Sequence, residues 1–200
     1  MNIPHMGGRT IGPWLELFAM EAEPGTAIIE LGAWLGAGTE FLARGCIGNN
    51  VDVHTFDIFM VKGNEVQKAE KQGVYLNPKQ DTLPLVQSYL SKYENIVYHK
   101  GNIADTIWIG PQISLHVDDA CKSPKQFKFA INHFSPFWIP GKTVVVLMDY
   151  YFYKKRPDQP ELICQKEYIE NHGYAFEFIR DWPELACAAF KYLGGDVKYI

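Results

Sequence analysis

Between positions 27 and 39 the chain reads Ala-Ile-Ile-Glu-Leu-Gly-Ala-Trp-Leu-Gly-Ala-Gly-Thr: an apolar run, an acid and three spaced glycines ahead of a helix-forming stretch. Ala27 to Ile29 has the length and β-branched character of a buried parallel strand, and Glu30 falls at its end. Glycine at 32, 36 and 38 permits a tight turn and an approach of backbone to ligand that a Cβ would block. Thr39 to Arg44 can then open a helix whose first N–H groups lack partners and point toward a bound molecule. This order of residues builds a nucleotide cradle.

Three further acids stand at the ends of predicted strands. Val51 to Phe56 alternates and ends at Asp57, Ile113 to Val117 ends at Asp118, and the β-branched run Thr143 to Met148 ends at Asp149. Helices are expected from Gly12 to Met20, Leu83 to Tyr93, Lys125 to Phe134 and Glu161 to Asn171, and a third strand at Ile96 to Tyr98. Strands at about Tyr174 to Ile179 and Ala186 to Tyr192 form an antiparallel hairpin. The predicted fold is therefore α/β, three-layered and doubly wound, with a seven-stranded, mostly parallel sheet carrying that hairpin at one edge. Ligands of such sheets lie outside the carboxyl ends of the strands, where Glu30, Asp57, Asp118 and Asp149 are all placed.

The glycines narrow the choice of nucleotide. Gly36-Ala37-Gly38-Thr39-Glu40-Phe41 ends in Phe where a dinucleotide fingerprint has its third glycine, and no Lys-Ser or Lys-Thr follows to make a phosphate loop. The run Glu30-x-Gly32-x-x-x-Gly36-x-Gly38-Thr39 instead resembles motif I of the class I S-adenosylmethionine (SAM) dependent methyltransferases. From about Gly12 to Leu193 the order of elements is similar to that family, and most of all to its macrocin O-methyltransferase-like, small-molecule members.

The resemblance implies that Glu30, Gly32, Gly36, Gly38 and Thr39 hold the methionine part of SAM, with Trp34 either flanking it or packing. It makes Asp57 the acceptor of the ribose hydroxyls and sets Asn102 and Ile103 beside adenine. Asp118 borders the cofactor, and Asp118 or Asp149 lies nearest the methyl acceptor. Three positions depart from the family pattern. Lys142 replaces the second glycine of a Pro-Gly-Gly turn, and Met148 replaces the first aspartate of Asp-Asp-Tyr. Ala120, Cys121 and Lys122 stand where members place an Asp or His as base or ligand. Asp118 and Asp149 are the candidate ligands of a divalent ion such as Mg²⁺, which prefers several oxygen ligands; the lost aspartate weakens that site.

Two hundred residues suit one domain, with segments 1–12 and 59–80 as coverings over a substrate. A net charge of −4 without a dense Lys/Arg block argues against a nucleic-acid partner and for a small-molecule acceptor. With no long apolar run or basic-then-apolar leader, neither a membrane partner nor secretion is indicated, and a cytoplasmic protein is expected. The four cysteines are too scattered for a zinc knuckle and read as reduced core thiols. His116 and His54 read as core histidines, and His133 as a structural residue late in a helix. Tyr150 to Tyr153 and Lys154 to Arg156 either wall an acceptor pocket or form a solvated loop. The expected activity is methyl transfer to oxygen. The rivals are a nicotinamide-dependent oxidoreductase and a methyltransferase-like module that binds a nucleotide or protein without turnover.

Overall fold

The computed structural model describes residues 3–5 and 10–199. A seven-stranded sheet is formed by β1 (Ala27–Leu31), β2 (Asp52–Asp57), β3 (Ile96–Lys100), β4 (Ile113–Asp118), β5 (Val144–Leu147), β6 (Phe176–Trp182) and β7 (Cys187–Tyr192), in the order β3-β2-β1-β4-β5-β7-β6. The first five strands are parallel, and β7 runs antiparallel to both β5 and β6. The expected hairpin is present, with β7 inserted between β5 and the edge strand β6.

Alternation along the strands divides the core between two faces. Ile29, Leu31, Phe56, Ile113, Val145 and Leu147 pack against Phe127, Ala130, Ile131 and Phe134 of α5 (Pro124–Phe134) and Tyr168 and Ile169 of α6 (Cys164–Asn171). The intervening residues Ile28, Val53, Leu115, Val117 and Val146 pack against Leu15, Phe18 and Ala19 of α1 (Gly12–Met20) and Leu42 and Ala43 of α2 (Ala37–Gly45). Adjacent strand residues point to opposite faces, so one apolar run serves both helix layers. α6 is shorter than its periodicity suggests because Pro160 opens a 3₁₀ turn, Pro160–Ile163, ahead of it.

Between β2 and β3 the chain forms α3 (Gly63–Glu70) and α4 (Leu83–Tyr89). Val61, Ala69 and Leu76 of the 59–80 segment bury themselves against Leu35 of the glycine turn, and the segment is closed by an antiparallel bridge from Met60 to Asp81. Of the amino-terminal covering expected at 1–12, residues 1, 2 and 6–9 lie outside the described residues. Ile3 packs with Ala33, Phe59, Val86 and Leu90, and the His5 backbone exchanges hydrogen bonds with the Gln72 side chain at 2.9–3.0 Å. Lys142 does not need the glycine it replaces. The positive φ of that turn, 75°, falls on Gly141.

Candidate active site

The strand order reverses between β1 and β4, and a cleft opens at the carboxyl ends of the strands beside that point. Gly32, Trp34, Asp57, Asn102 and Ile103 line it, five of the residues singled out in the sequence. Ile58 and Met60 from the β2 end, Glu65 of α3 and Asp119, Cys121 and Lys122 after β4 are also part of the wall. Ile58 was not foreseen. Its signal is an apolar residue directly after the strand-end acid, left 39% exposed.

Asp57 ends β2, and each of its carboxylate oxygens accepts a backbone N–H: Trp34 donates to Oδ2 at 2.9 Å and Phe59 to Oδ1 at 2.7 Å. Both donors are non-glycine residues at a φ of 49°, a conformation that costs about 1–3 kcal/mol each. Charge-assisted bonds to one carboxylate offset that strain and fix the turn on either side of the cleft. A carboxylate offers about four lone-pair sites, so Asp57 keeps capacity for further donors. The Trp34 indole Nε1 is buried and has no partner among the described residues.

The glycines divide their work. Gly32 has a φ of 95°, and a Cβ there would lie 3.1 Å from the Asp119 backbone, so the cleft floor depends on its small size. Gly36 caps α2 at a φ of 88° and faces Val86 and Leu90, away from the cleft. A Cβ on Gly38 would sit 2.7 Å from Glu30 Oε1, so this glycine makes room for a buried carboxylate.

Glu30 is 3% exposed and lies behind the turn, outside the cleft lining. Its Oε2 accepts hydrogen bonds from Thr39 Oγ1 at 2.6 Å and from Thr55 Oγ1, directly across in β2, at 2.7 Å. Burial pushes its carboxyl up to about 7, the two threonine hydroxyls pull it down, and the Asp57 charge adds to the rise. Thr39 is fully buried, and no described residue of α2 reaches the cleft wall. The start of α2 meets Glu30 through the Thr39 hydroxyl.

Asp118 ends β4 with no exposure; its Oδ1 accepts N–H bonds from Ala120 at 3.1 Å and Cys121 at 2.8 Å, shaping the loop that follows. Burial raises its carboxyl to about 6 against those bonds. Asp149 lies two residues beyond β5 and forms an ion pair with Lys122, whose ammonium is also 3.7 Å from Asp119. Burial opposes the Lys122 charge, and the two carboxylates overcome it, holding the ammonium above the usual lysine range. Neither Asp118 nor Asp149 lines the cleft, whereas Lys122 and Asp119 do. Among the described residues no group of three or more His, Cys, Asp or Glu is placed to hold a metal ion.

His116 is fully buried, both ring nitrogens lack partners, and burial depresses it to about 3. His54 Nδ1 lies 3.0 Å from His99 Nε2, and burial holds His54 at about 4. His133 Nε2 accepts the Trp108 N–H at 2.7 Å, a structural role played by a lone pair rather than by a positive charge. Lys155 donates to the Glu184 carbonyl, Arg156 pairs with Asp158, and Lys154 sits 4.3 Å over the Tyr151 ring; none of the three lines the cleft. All four cysteines are free and buried. No helix among the described residues is long and apolar enough to cross a membrane.

No protein-family model and no curated protein matches the sequence. Solved structures do match the fold. Cofactor-bound Rv0187 from MTB superposes with a TM-score of 0.65 at 16% identity, over 97% of this chain and 85% of that one. The O-methyltransferase NovP gives 0.60 at 15% identity, over 91% and 80%. An rRNA methylase from Streptococcus thermophilus gives 0.52 at 13% identity, over 95% and 100%. At such identities the likeness speaks for the fold. The chain has the Rossmann-like fold of the SAM-dependent methyltransferases, with its cleft at the carboxyl ends of β1 to β4.

Proposed function

We propose that this chain is a SAM-dependent methyltransferase acting on a small molecule, with transfer to a hydroxyl oxygen. One observation carries the reading: a strand-end carboxylate, Asp57, braced by two backbone N–H groups, borders a cleft that runs from Gly32 to Asn102 and Ile103. In this reading Asp57 accepts the ribose hydroxyls with its remaining lone pairs, and adenine lies between Ile58 and Ile103. The methionine end rests on Gly32, where a Cβ would crowd the Asp119 backbone. Glu30, Gly36, Gly38 and Thr39 act from behind, fixing the turn whose front edge meets the cofactor.

When bound, SAM supplies an electrophilic methyl group on a sulfonium. The chain must align an acceptor in line with it, and positioning alone contributes up to about 7–11 kcal/mol. Asp118 positions the loop carrying Asp119 and Lys122, while Asp149 anchors Lys122, which lines the cleft. The 59–80 segment, whose Met60, Val61, Lys62 and Glu65 line the cleft, covers the bound molecules. A small acceptor suits a chain of net charge −4, because a nucleic-acid backbone calls for clustered cations. The fold is shared with rRNA methylases and does not itself choose the acceptor.

Calorimetric titration with SAM and with NADH tests the reading against its nicotinamide rival. SAM binding without NADH binding supports it. NADH binding alone, or a folded sample silent to millimolar SAM, refutes it.

A further inference from the structure

We propose that the Lys122 ammonium is the built-in cation of this site, filling the place between carboxylates where a divalent ion would sit and offering an N–H donor to the acceptor oxygen. The inference rests on the methyltransferase reading for the acceptor, and on side-chain geometry alone for the cation.

Three carboxylates, Asp118, Asp119 and Asp149, gather after β4 and β5, yet they do not make an oxygen cage. Asp118 is fully buried, with Oδ1 committed to the amides of Ala120 and Cys121. The position before Asp149 is Met148, whose side chain packs with the apolar face of the sheet, and a thioether is no ligand for a hard cation. Asp119 and Asp149 remain, and both converge on the same Nζ of Lys122. The Lys122 side chain is 44% exposed while Asp149 is 9% exposed, so the ammonium is tethered from the protein side and open toward the cleft. An ammonium has three donors. One is taken by Asp149, and Asp119 stands at ion-pair distance, 3.7 Å, which leaves donors for an incoming oxygen. The Phe152 ring, 5.4 Å from Nζ, adds a face that favours the cation.

In the transfer step the acceptor oxygen forms a bond to the methyl carbon as the carbon–sulfur bond breaks, and its electron pair returns to sulfur as a neutral thioether. The hydroxyl proton leaves to the Asp119 carboxylate, which lines the cleft beside Lys122, and later to water. The fixed ammonium stabilises the negative charge on oxygen while that proton moves, so the step needs no divalent ion.

Manganese is the probe. Mn²⁺ is titrated, by calorimetry and by its electron paramagnetic resonance signal, into the wild-type chain, Lys122→Met and Lys122→Arg, each loaded with S-adenosylhomocysteine. Wild type and Lys122→Arg are expected to bind it no tighter than about 1 mM, and Lys122→Met, which frees both carboxylates, about tenfold tighter or better. Wild-type binding at about 100 µM or below, or equal affinity in all three, overturns the proposal. Circular dichroism on the same samples reports that each variant is folded, and their S-adenosylhomocysteine affinity is read alongside. If the cofactor fails to bind to any sample, the methyltransferase reading falls while the manganese comparison still judges the cation.

Discussion

Replacing Glu30 by Gln should change how stability depends on pH. In the folded chain burial raises this carboxyl from 4.5 to about 7. An acid whose folded pKa lies above its unfolded value is penalised once it ionises, so stability is greatest below 4.5, declines as pH rises toward 7 and levels off above it. A difference of about 2.5 pKa units corresponds to roughly 3 kcal/mol at 1.36 kcal/mol per unit. Glutamine keeps an oxygen for the Thr39 and Thr55 hydroxyls and carries no charge. Denaturant unfolding of both proteins at pH 5 and pH 8 should show the variant gaining roughly 2–3 kcal/mol on wild type across that interval. Subtracting the two proteins removes the shared titration of Asp118. A pH-independent difference would mean that Glu30 titrates in the fold at its unfolded value, and the brace behind the glycine turn would need another explanation.

Gly38→Ala sets helix propensity against the same brace. An exposed helical glycine would gain about 1 kcal/mol from alanine, whereas here the new Cβ meets Glu30 Oε1 at 2.7 Å, so a fall in melting temperature is expected. Leu35→Ala removes the fully buried residue on which the 59–80 segment sits and should cost about 2–5 kcal/mol in denaturant unfolding. It should also raise the proteolytic susceptibility of that segment. His116→Leu discards two buried ring nitrogens without partners and should be neutral or stabilising by roughly 1 kcal/mol at pH 7. Its advantage should grow in acid, because a histidine held neutral by burial at about 3 contributes stability above its unfolded value of 6.5 that is lost as pH falls.

Strands β1, β2, β4 and β5 were legible because each is a short run with an acid at or just beyond its end, and the sheet follows from the alternation of strands with helices. Gly32, Trp34, Asp57, Asn102 and Ile103 reach the cleft as their places in that pattern require. Glu30 does not, and the reason is a cross-strand register that a linear reading cannot supply. Thr55 stands directly opposite it in β2, and Thr39 reaches back from α2 to the same oxygen. In sequence Thr39 reads as a contact of the cofactor and Thr55 passes unremarked. Lys122 was read as a residue standing where a ligand or base was missing; only the approach of β4 and β5 brings Asp149 against it from 27 positions away. The basic run at 154–156 could be read as walling an acceptor pocket because charge is visible in sequence, while the carbonyl, carboxylate and ring that absorb it are not.

The central claim is that Asp57 holds the ribose of an adenosyl cofactor, and calorimetric binding of S-adenosylhomocysteine to wild type, Asp57→Asn and Asp57→Ala tests it most directly. Two charge-assisted hydrogen bonds of roughly 1.5–3 kcal/mol each predict that Asp57→Ala loses about a hundredfold or more in affinity. Asn, which keeps one acceptor oxygen for the Trp34 or Phe59 amide, is expected to fall between. Equal affinity in all three folded proteins, or no binding to any, would contradict the account.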